Sequence, residues 1–428
     1  MIPVWSNSTG LNSKPAILYL DFTTSTYSNN GNGYALASVP GYSFTRASTG
    51  YAEDLAGNLI SFASGAPRST DKGVLIEEAR TNSLTYSQDF SGTGWILSQA
   101  TLGSTNNLAP DGTLTATKLA ETSAAASSHS VNSGISKAAS AITYSASIYV
   151  KAAERTWCQF TLYDGGSLGI RYWFNLGTGA VGSSQNIGAG FTSPSASITA
   201  LANGWYRIVV TATSSTATSI QPYIYCATGD LVLNYNGVTG SGIYIWGCQV
   251  EAGAFPTSYI ATTSASATRA ADVFYFDGLS FVFPYSILGA GILPSDTASS
   301  QKYIVTASQG ADTTNKTYLF RGLSNNAVIQ TMVNSSVTQN NNSTSFAGAG
   351  TLGLGVSHDG STFNNSANTT TMGSGSGSGY GSTPLTRISV GQGNTGGNPL
   401  NGYVKRIVVL PRALTSAEMY ANLQPMVA

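Results

Sequence analysis

"RTWCQFTLYDGGSLGIRYWFNL", residues 155–176, decides the fold class. Two strand-length runs flank a turn rich in glycine and serine, and along extended chain successive side chains point to opposite faces. In the first run Cys158, Phe160 and Leu162 share one face, and Trp157, Gln159, Thr161 and Tyr163 share the other. In the second, Ile170, Tyr172, Phe174 and Leu176 form the apolar set and leave Arg171, Trp173 and Asn175 opposite. The period is two, not 3.6, so both runs read as half-buried strands.

The same texture recurs in "ITYSASIYVK" (142–151), "GWYRIVVTAT" (204–213), "IQPYIYC" (220–226) and "GIYIWGCQVE" (242–251). In "IQPYIYC", Ile220, Pro222, Ile224 and Cys226 oppose Gln221, Tyr223 and Tyr225. Several strands without helical periodicity between them predict an antiparallel sandwich. Composition agrees. Of 428 residues only 9% are charged, against roughly 25% in ordinary soluble domains. Solubility must come from Ser, Thr, Asn and Gly, and 42% hydrophobic content is too high for a disordered chain.

Nineteen acidic residues balance nineteen basic ones. That argues against nucleic acid, which needs clustered Lys and Arg to displace counterions, and against attraction to anionic lipid. No apolar run is long enough for a transmembrane helix, so no membrane insertion is expected, and the start "MIPVWSNSTG" lacks a secretory signal pattern. Cys158, Cys226 and Cys248 lie in strand-like segments and read as buried thiols, with a Cys226–Cys248 bridge left open. With two histidines and no close cysteine pair a zinc site is not expected. His129 and His358, in Ser-rich surroundings, read as surface groups.

The fold class is therefore all-β: two antiparallel β-sandwich domains, an irregular N-terminal segment and one short C-terminal helix. Residues 1–85 read as an attachment or oligomerisation segment, 86–261 as the first sandwich, 262–272 as a linker of small residues, and 273–428 as the second sandwich. The tract "MGSGSGSGYGS" (372–382) reads as a flexible loop. In "LTSAEMYANL" (414–423), Thr415 and Glu418 have the spacing of a helix-opening capping box, just after Pro411.

Charge is scarce, so the cluster in "GVLIEEARTN" (73–82) needs a reading of its own. Glu77 and Glu78 are adjacent and face opposite sides of an extended chain, so they cannot form a dyad. Hydrolysis of a glycosidic bond needs two carboxylates about 5–10 Å apart across a cleft, and no spacing nominates such a pair. The economical reading is a structural clamp of Glu77, Glu78, Arg80 and Arg46, with Arg68 as another partner. No catalytic residue is assigned, and the chain is not expected to be an enzyme.

"FTRASTGYAEDLAGNLI" (44–60), "GVLIEEARTN" (73–82), "NGWYRIVVTAT" (203–213), "SGIYIWGCQVEAGAFPTSYIATTSASATRAADV" (241–273) and "LNGYVKRIVVLPRALTSAEM" (400–419) resemble segments of structural proteins from tailed bacteriophages. These are tail-fibre, head-spike and related capsid-decoration or receptor-binding proteins, often carbohydrate-binding or lectin-like. The resemblance implies a carbohydrate-binding-module-like jelly roll in the middle and a concanavalin/laminin-G-like sandwich at the C-terminus. It also implies a virion location after assembly in the bacterial host's cytoplasm. The partners it implies are other virion proteins (capsid, portal or tail), host cell-surface polysaccharide and further copies of the chain, trimers being common in fibres. No cofactor is expected beyond a structural calcium, which modules of this kind often hold near the final strand. Glu251 is the candidate ligand there, with Gln249 beside it.

Sugar recognition uses aromatic faces against the C–H side of the ring and planar polar groups for the hydroxyls. The outward sets supply both: Trp157, Gln159, Tyr163, Arg171, Trp173, Asn175, Gln221, Tyr223 and Tyr225. These are the candidate glycan-binding residues. Two rival readings stand beside this one: a purely structural decoration or adaptor protein whose aromatic faces are buried between subunits, and a polysaccharide depolymerase. Trp205 and Trp246 are expected to be packing residues.

Overall fold

The computed structural model describes residues 15–428, apart from 295–299, 312–313, 324–325, 334–335, 346–349 and 377–383. The protein is all-β, built from antiparallel sheets, and Ser416–Val427 is the only α-helix among the described residues. The chain forms two compact units: Met1–Thr49, Phe62–Ala79 and Ala270–Ala428 make the first, Gly50–Ser61 and Arg80–Arg269 the second.

These units differ from the divisions expected at 85/86 and across 262–272. The reason lies in the N-terminal strands. All four residues of Leu18–Asp21 are buried, so this strand cannot stand as a separate segment. It pairs with Gly402–Leu410, as does Gly73–Ile76, while Tyr42–Thr45 pairs with Val273–Phe276. The first unit is thus woven from both ends of the chain.

One sheet of the first unit runs Asn32–Tyr34, Thr26–Asn29, Leu18–Asp21, Gly402–Leu410, Tyr285–Leu293, Gly350–His358, Thr362–Ala367, Thr370–Ser376. The other runs Ser336–Ser345, Asn326–Val333, Lys316–Arg321, Lys302–Ser308, Arg387–Val390, Val273–Phe276, Tyr42–Thr45. Leu20, Phe44, Phe274, Ile287, Ile304, Leu354, Ile388 and Val409 belong to one buried apolar core. Residues 373–376 of the glycine–serine tract lie within the strand Thr370–Ser376, and 377–383 lie outside the described residues.

The helix covers an apolar cluster of Tyr19, Leu288, Val408 and Leu410 with Met419, Leu423 and Met426, three positions on one helical face. Gly353 and Gly355 let it lie close: a Cβ at Gly353 would come within 2.8 Å of Val427 Cγ1. The capping box forms as spaced. The Glu418 N–H donates to Thr415 Oγ1 (3.2 Å) and the Thr415 N–H donates to Glu418 Oε2 (2.8 Å). Thr415→Ala is expected to cost about 1 kcal/mol, read as a lower urea midpoint; an unchanged midpoint would mean that the helix end is held by packing alone.

The second unit is also two sheets. One runs Ile96–Ser98, His129–Asn132, Ser219–Ala227, Trp157–Tyr163, Gly169–Asn175, Ala180–Ile187. The other runs Ala100–Leu102, Thr117–Glu121, Gly242–Ala252, Thr143–Ala152, Trp205–Thr213, Thr192–Ala200. The apolar set read from residues 155–176 does face the core: Cys158, Phe160, Leu162, Ile170 and Phe174 lie in it, with Ile220, Ile224 and Cys226 from the neighbouring strand, while Tyr172 is only partly buried against it and Gln159, Thr161 and Trp173 on the opposite face are buried too. The three cysteines are buried free thiols, and desolvation pushes each well above its usual pKa. Trp205 and Trp246 are buried beside Tyr149 and Tyr259, and the Trp246 indole N–H donates to Thr115 Oγ1 at 2.9 Å.

Candidate functional site

The register between Trp157–Tyr163 and its two neighbours sets the outward face in rows. Gln159 is opposite Trp173 and Tyr225, Thr161 is opposite Arg171 and Tyr223, and Tyr163 is opposite Gly169 and Gln221. All nine predicted residues therefore belong to one face of one sheet, but they do not share one environment.

At one end the chain after Ser219–Ala227 folds back over the sheet. Asp230 accepts from the Ser183 N–H (2.9 Å) and hydroxyl (2.8 Å), and the Trp173 indole donates to the Val232 carbonyl (3.3 Å). Trp173 is consequently 1% exposed and cannot stack on a ligand. Gln159 is fully buried, its carbonyl accepting from Thr161 Oγ1 at 3.3 Å. Asn175 Oδ1 accepts from the N–H groups of Gly177 and Thr178 and so braces the following turn. Trp157 is half-buried at the same end, where a Cβ on Gly182 would lie 2.9 Å from its ring. Trp173, Gln159 and Asn175 thus drop out of the predicted binding set, because a covering loop, burial and a turn claim them, and Trp157 at the same end does not line the cleft described next.

The other end is open. Tyr163, Arg171, Tyr223 and Tyr225 line a cleft of about 280 Å³ together with Thr161 and Ile187. Tyr163 and Tyr223 meet edge to face at 5.9 Å, and Tyr223 and Tyr225 lie nearly parallel at 5.8 Å. Gly169 helps to shape the end of the row: a Cβ there would come within 2.9 Å of the Tyr163 ring and 3.3 Å of Ile187. Gln221 sits beside the cleft and accepts from the Tyr223 hydroxyl at 3.3 Å. Thr161, on the same outward face, has neither a ring nor a planar polar group and so is not among the predicted residues. Ile187 ends a run, "AVGSSQNI", that carries little apolar alternation.

Burial pushes Tyr225 up to about 12 and raises Tyr223 as well, so both are neutral phenols at neutral pH. Desolvation lowers Arg171 from its usual value, while Tyr225 and Tyr163 act the other way. The six lining residues include no carboxylate, so the cleft holds no acid–base pair of the kind glycosidic hydrolysis uses. It can stack and donate hydrogen bonds.

The other predicted positions sort differently. Glu251 is fully buried and its carboxylate is engaged by protein donors: Gln249 Nε2 (2.6 Å), the Thr257 N–H (2.9 Å) and Thr257 Oγ1 (2.5 Å). Desolvation raises its pKa. A calcium ion would have to displace these donors, and among the described residues no group of three or more His, Cys, Asp or Glu gathers as a metal site.

In the first unit, Arg68 pairs with Glu77 (2.6 Å) and with Asp272, while Arg46 pairs with Asp272 at 3.1 Å. Burial favours loss of the Arg68 proton, but the two carboxylates outweigh it and hold the guanidinium above its usual value. Glu78 turns away to accept from the Asn401 side chain (3.1 Å), and Arg80 lies over the Phe255 ring at 4.8 Å. Arg46 and Glu77 of the expected clamp are thus joined through Arg68 and Asp272, while Glu78 faces the other way, to Asn401. His129 and His358 are both fully buried and are not surface groups.

No protein-family model matches the chain. No curated protein matches it either. Among solved structures it is similar to the Ruminococcus gnavus IT-sialidase CBM40 bound to α2,6-sialyllactose, with TM-score 0.28, 10% identity, and coverage of 33% of this chain and 84% of that one. It is similar to domain 4 of AbnA, a GH43 extracellular arabinanase from Geobacillus stearothermophilus, in complex with arabinotriose (TM-score 0.29, 15% identity, 40% and 82% covered). Chicken galectin 2 is a third (TM-score 0.23, 10% identity, 32% and 96% covered). At these scores the likeness carries no argument about ligand, and it says nothing of virion origin.

Proposed function

We propose that the protein is a non-catalytic glycan-binding subunit of a bacteriophage spike or fibre, with the open cleft of the second unit as its saccharide site. One observation carries the glycan reading: three phenol rings and a guanidinium converge on a cleft of about 280 Å³ at the exposed end of a sheet. Rings with polar tips suit a ligand that is apolar on one side and hydroxylated on its rim. The volume is small beside the roughly 300–1,000 Å³ of general ligand pockets, so the site takes a short stretch of a glycan. Weak single sites gain avidity on a particle with many copies, because a second contact there is effectively intramolecular. Virion location, attachment to capsid, portal or tail, and homo-oligomerisation rest on the sequence resemblance.

The test is a glycan array followed by titration of the best binder. Tyr223→Ala is expected to raise the dissociation constant about tenfold or more, equivalent to about 1.4 kcal/mol. Trp157→Ala, at the covered end, should leave it unchanged, and the wild-type protein should release no reducing ends from the bound polysaccharide. Equal affinity of the Tyr223 variant and the wild type would remove the cleft from the reading. Release of reducing ends would replace the reading with a depolymerase.

A further inference from the structure

Arg171 differs from most arginines in this protein. Arg46, Arg68, Arg155, Arg387, Arg406 and Arg412 each face a carboxylate. Arg171 has no ion pair among the described residues; its Nε is buried without a hydrogen-bond partner, as is that of Arg406, but Arg406 has Asp21 beside it. A guanidinium taken partly out of water with no counter-charge is costly unless something else supplies acceptors.

The surroundings offer no relief. Arg171 is opposite Thr161 on one side and Gln185 on the other. The acids in nearby stretches are committed elsewhere: Asp164 accepts from the N–H groups of Gly166 and Leu168 and from the Ser215 hydroxyl, and Asp230 accepts from Ser183. Tyr225 and Tyr223, held protonated, are not counter-ions. The cleft lining thus holds a guanidinium and no carboxylate.

We infer that the saccharide recognised at this cleft is acidic, with the carboxylate of a uronic or sialic acid residue accepting from the Arg171 guanidinium while the tyrosine rings hold the sugar. The planar fork of arginine matches a carboxylate in two parallel hydrogen bonds. The inference rests on the glycan-binding reading and adds the charge of the ligand to it.

The experiment titrates the full chain with oligosaccharides of hyaluronan, polygalacturonate and α2,8-polysialic acid, each in native and carboxyl-reduced form, beside a neutral glycan panel. Reduction keeps every linkage and replaces the carboxylate with a neutral hydroxymethyl group. At least one native oligosaccharide is expected to bind at least tenfold tighter than its reduced counterpart. Arg171→Gln should bring the two forms within twofold of each other, and Arg171→Lys should give an intermediate preference. Because Arg171→Gln removes an uncompensated charge, its thermal midpoint should equal or exceed that of the wild type, which a merely structural arginine would not allow. Binding confined to neutral glycans, or a preference that survives Arg171→Gln, overturns the acidic ligand and leaves glycan binding standing. Absence of binding to every acidic and neutral probe overturns both.

Discussion

Arg68→Ala is expected to destabilise the protein by about 3–5 kcal/mol, the range for removing one partner of a buried ion pair. The Arg68 and Asp272 side chains are fully buried, and that of Glu77 is 6% exposed. Asp272 also accepts from the Glu77 N–H at 2.9 Å, and Arg46 donates to the carbonyl of Ala63 at 2.8 Å. Two cations and two anions therefore compensate one another in a volume that water does not reach. Without Arg68, Asp272 keeps Arg46, while the buried Glu77 carboxylate loses the guanidinium that faces it at 2.6 Å. The control is Arg412→Ala, which removes a partly exposed pair with Glu418 at 3.2 Å and should cost no more than about 1 kcal/mol. Urea denaturation at low and high salt separates the two, since screening reaches the exposed pair and barely reaches the buried one. Equal losses for both variants would show that the four charges are incidental to the fold.

That network also marks the reach of the sequence. Glu77 with Arg68 was open to a local reading, because the two lie nine residues apart in sequence. Asp272 was not, since it stands 204 residues from Arg68 in a stretch whose small residues read as a linker. Period-two alternation was enough to place Cys158, Phe160 and Leu162 in the core, because burial on one face imposes that period. It could also place Tyr163, Arg171, Tyr223 and Tyr225 on one face, where they do line a common cleft. It could not distinguish Tyr223 from Trp173 on that same face. What separates them is the chain around Asp230 and Val232, about sixty residues from Trp173 in sequence. Alternation says which way a side chain points and nothing about what later lies on top of it. The histidines failed for a related reason: serine neighbours describe a strand's texture, not its depth.

Acidification should expose one of those histidines. His358 closes the strand Gly350–His358, is fully buried, and is packed by Phe363 at 3.5 Å and Phe283 at 4.1 Å between ring centroids. Its Nδ1 accepts the Gly360 N–H at 2.8 Å, and its Nε2 is buried without a partner. A proton on Nδ1 would break the first contact, and the charge would face aromatic rings at the second nitrogen. Burial therefore lowers the pKa from 6.5 to about 4, with Asp359 opposing the shift. The folded value is the depressed one, so the unfolded chain takes up the proton first as pH falls. The stability His358 contributes is intact above about pH 6.5 and drains away toward pH 4. At about 1.4 kcal/mol per pKa unit, the full loss is on the order of 3 kcal/mol. His358→Asn keeps an acceptor for Gly360 and removes the titration. Between pH 7.5 and 4.5 the wild type is expected to lose about 2–3 kcal/mol more than this variant in urea denaturation. Comparing the two pH values within each protein cancels the packing change and the carboxylates common to both. Identical losses would mean that His358 is as readily protonated in the folded protein as in the unfolded chain, and that the aromatic enclosure does not exclude water.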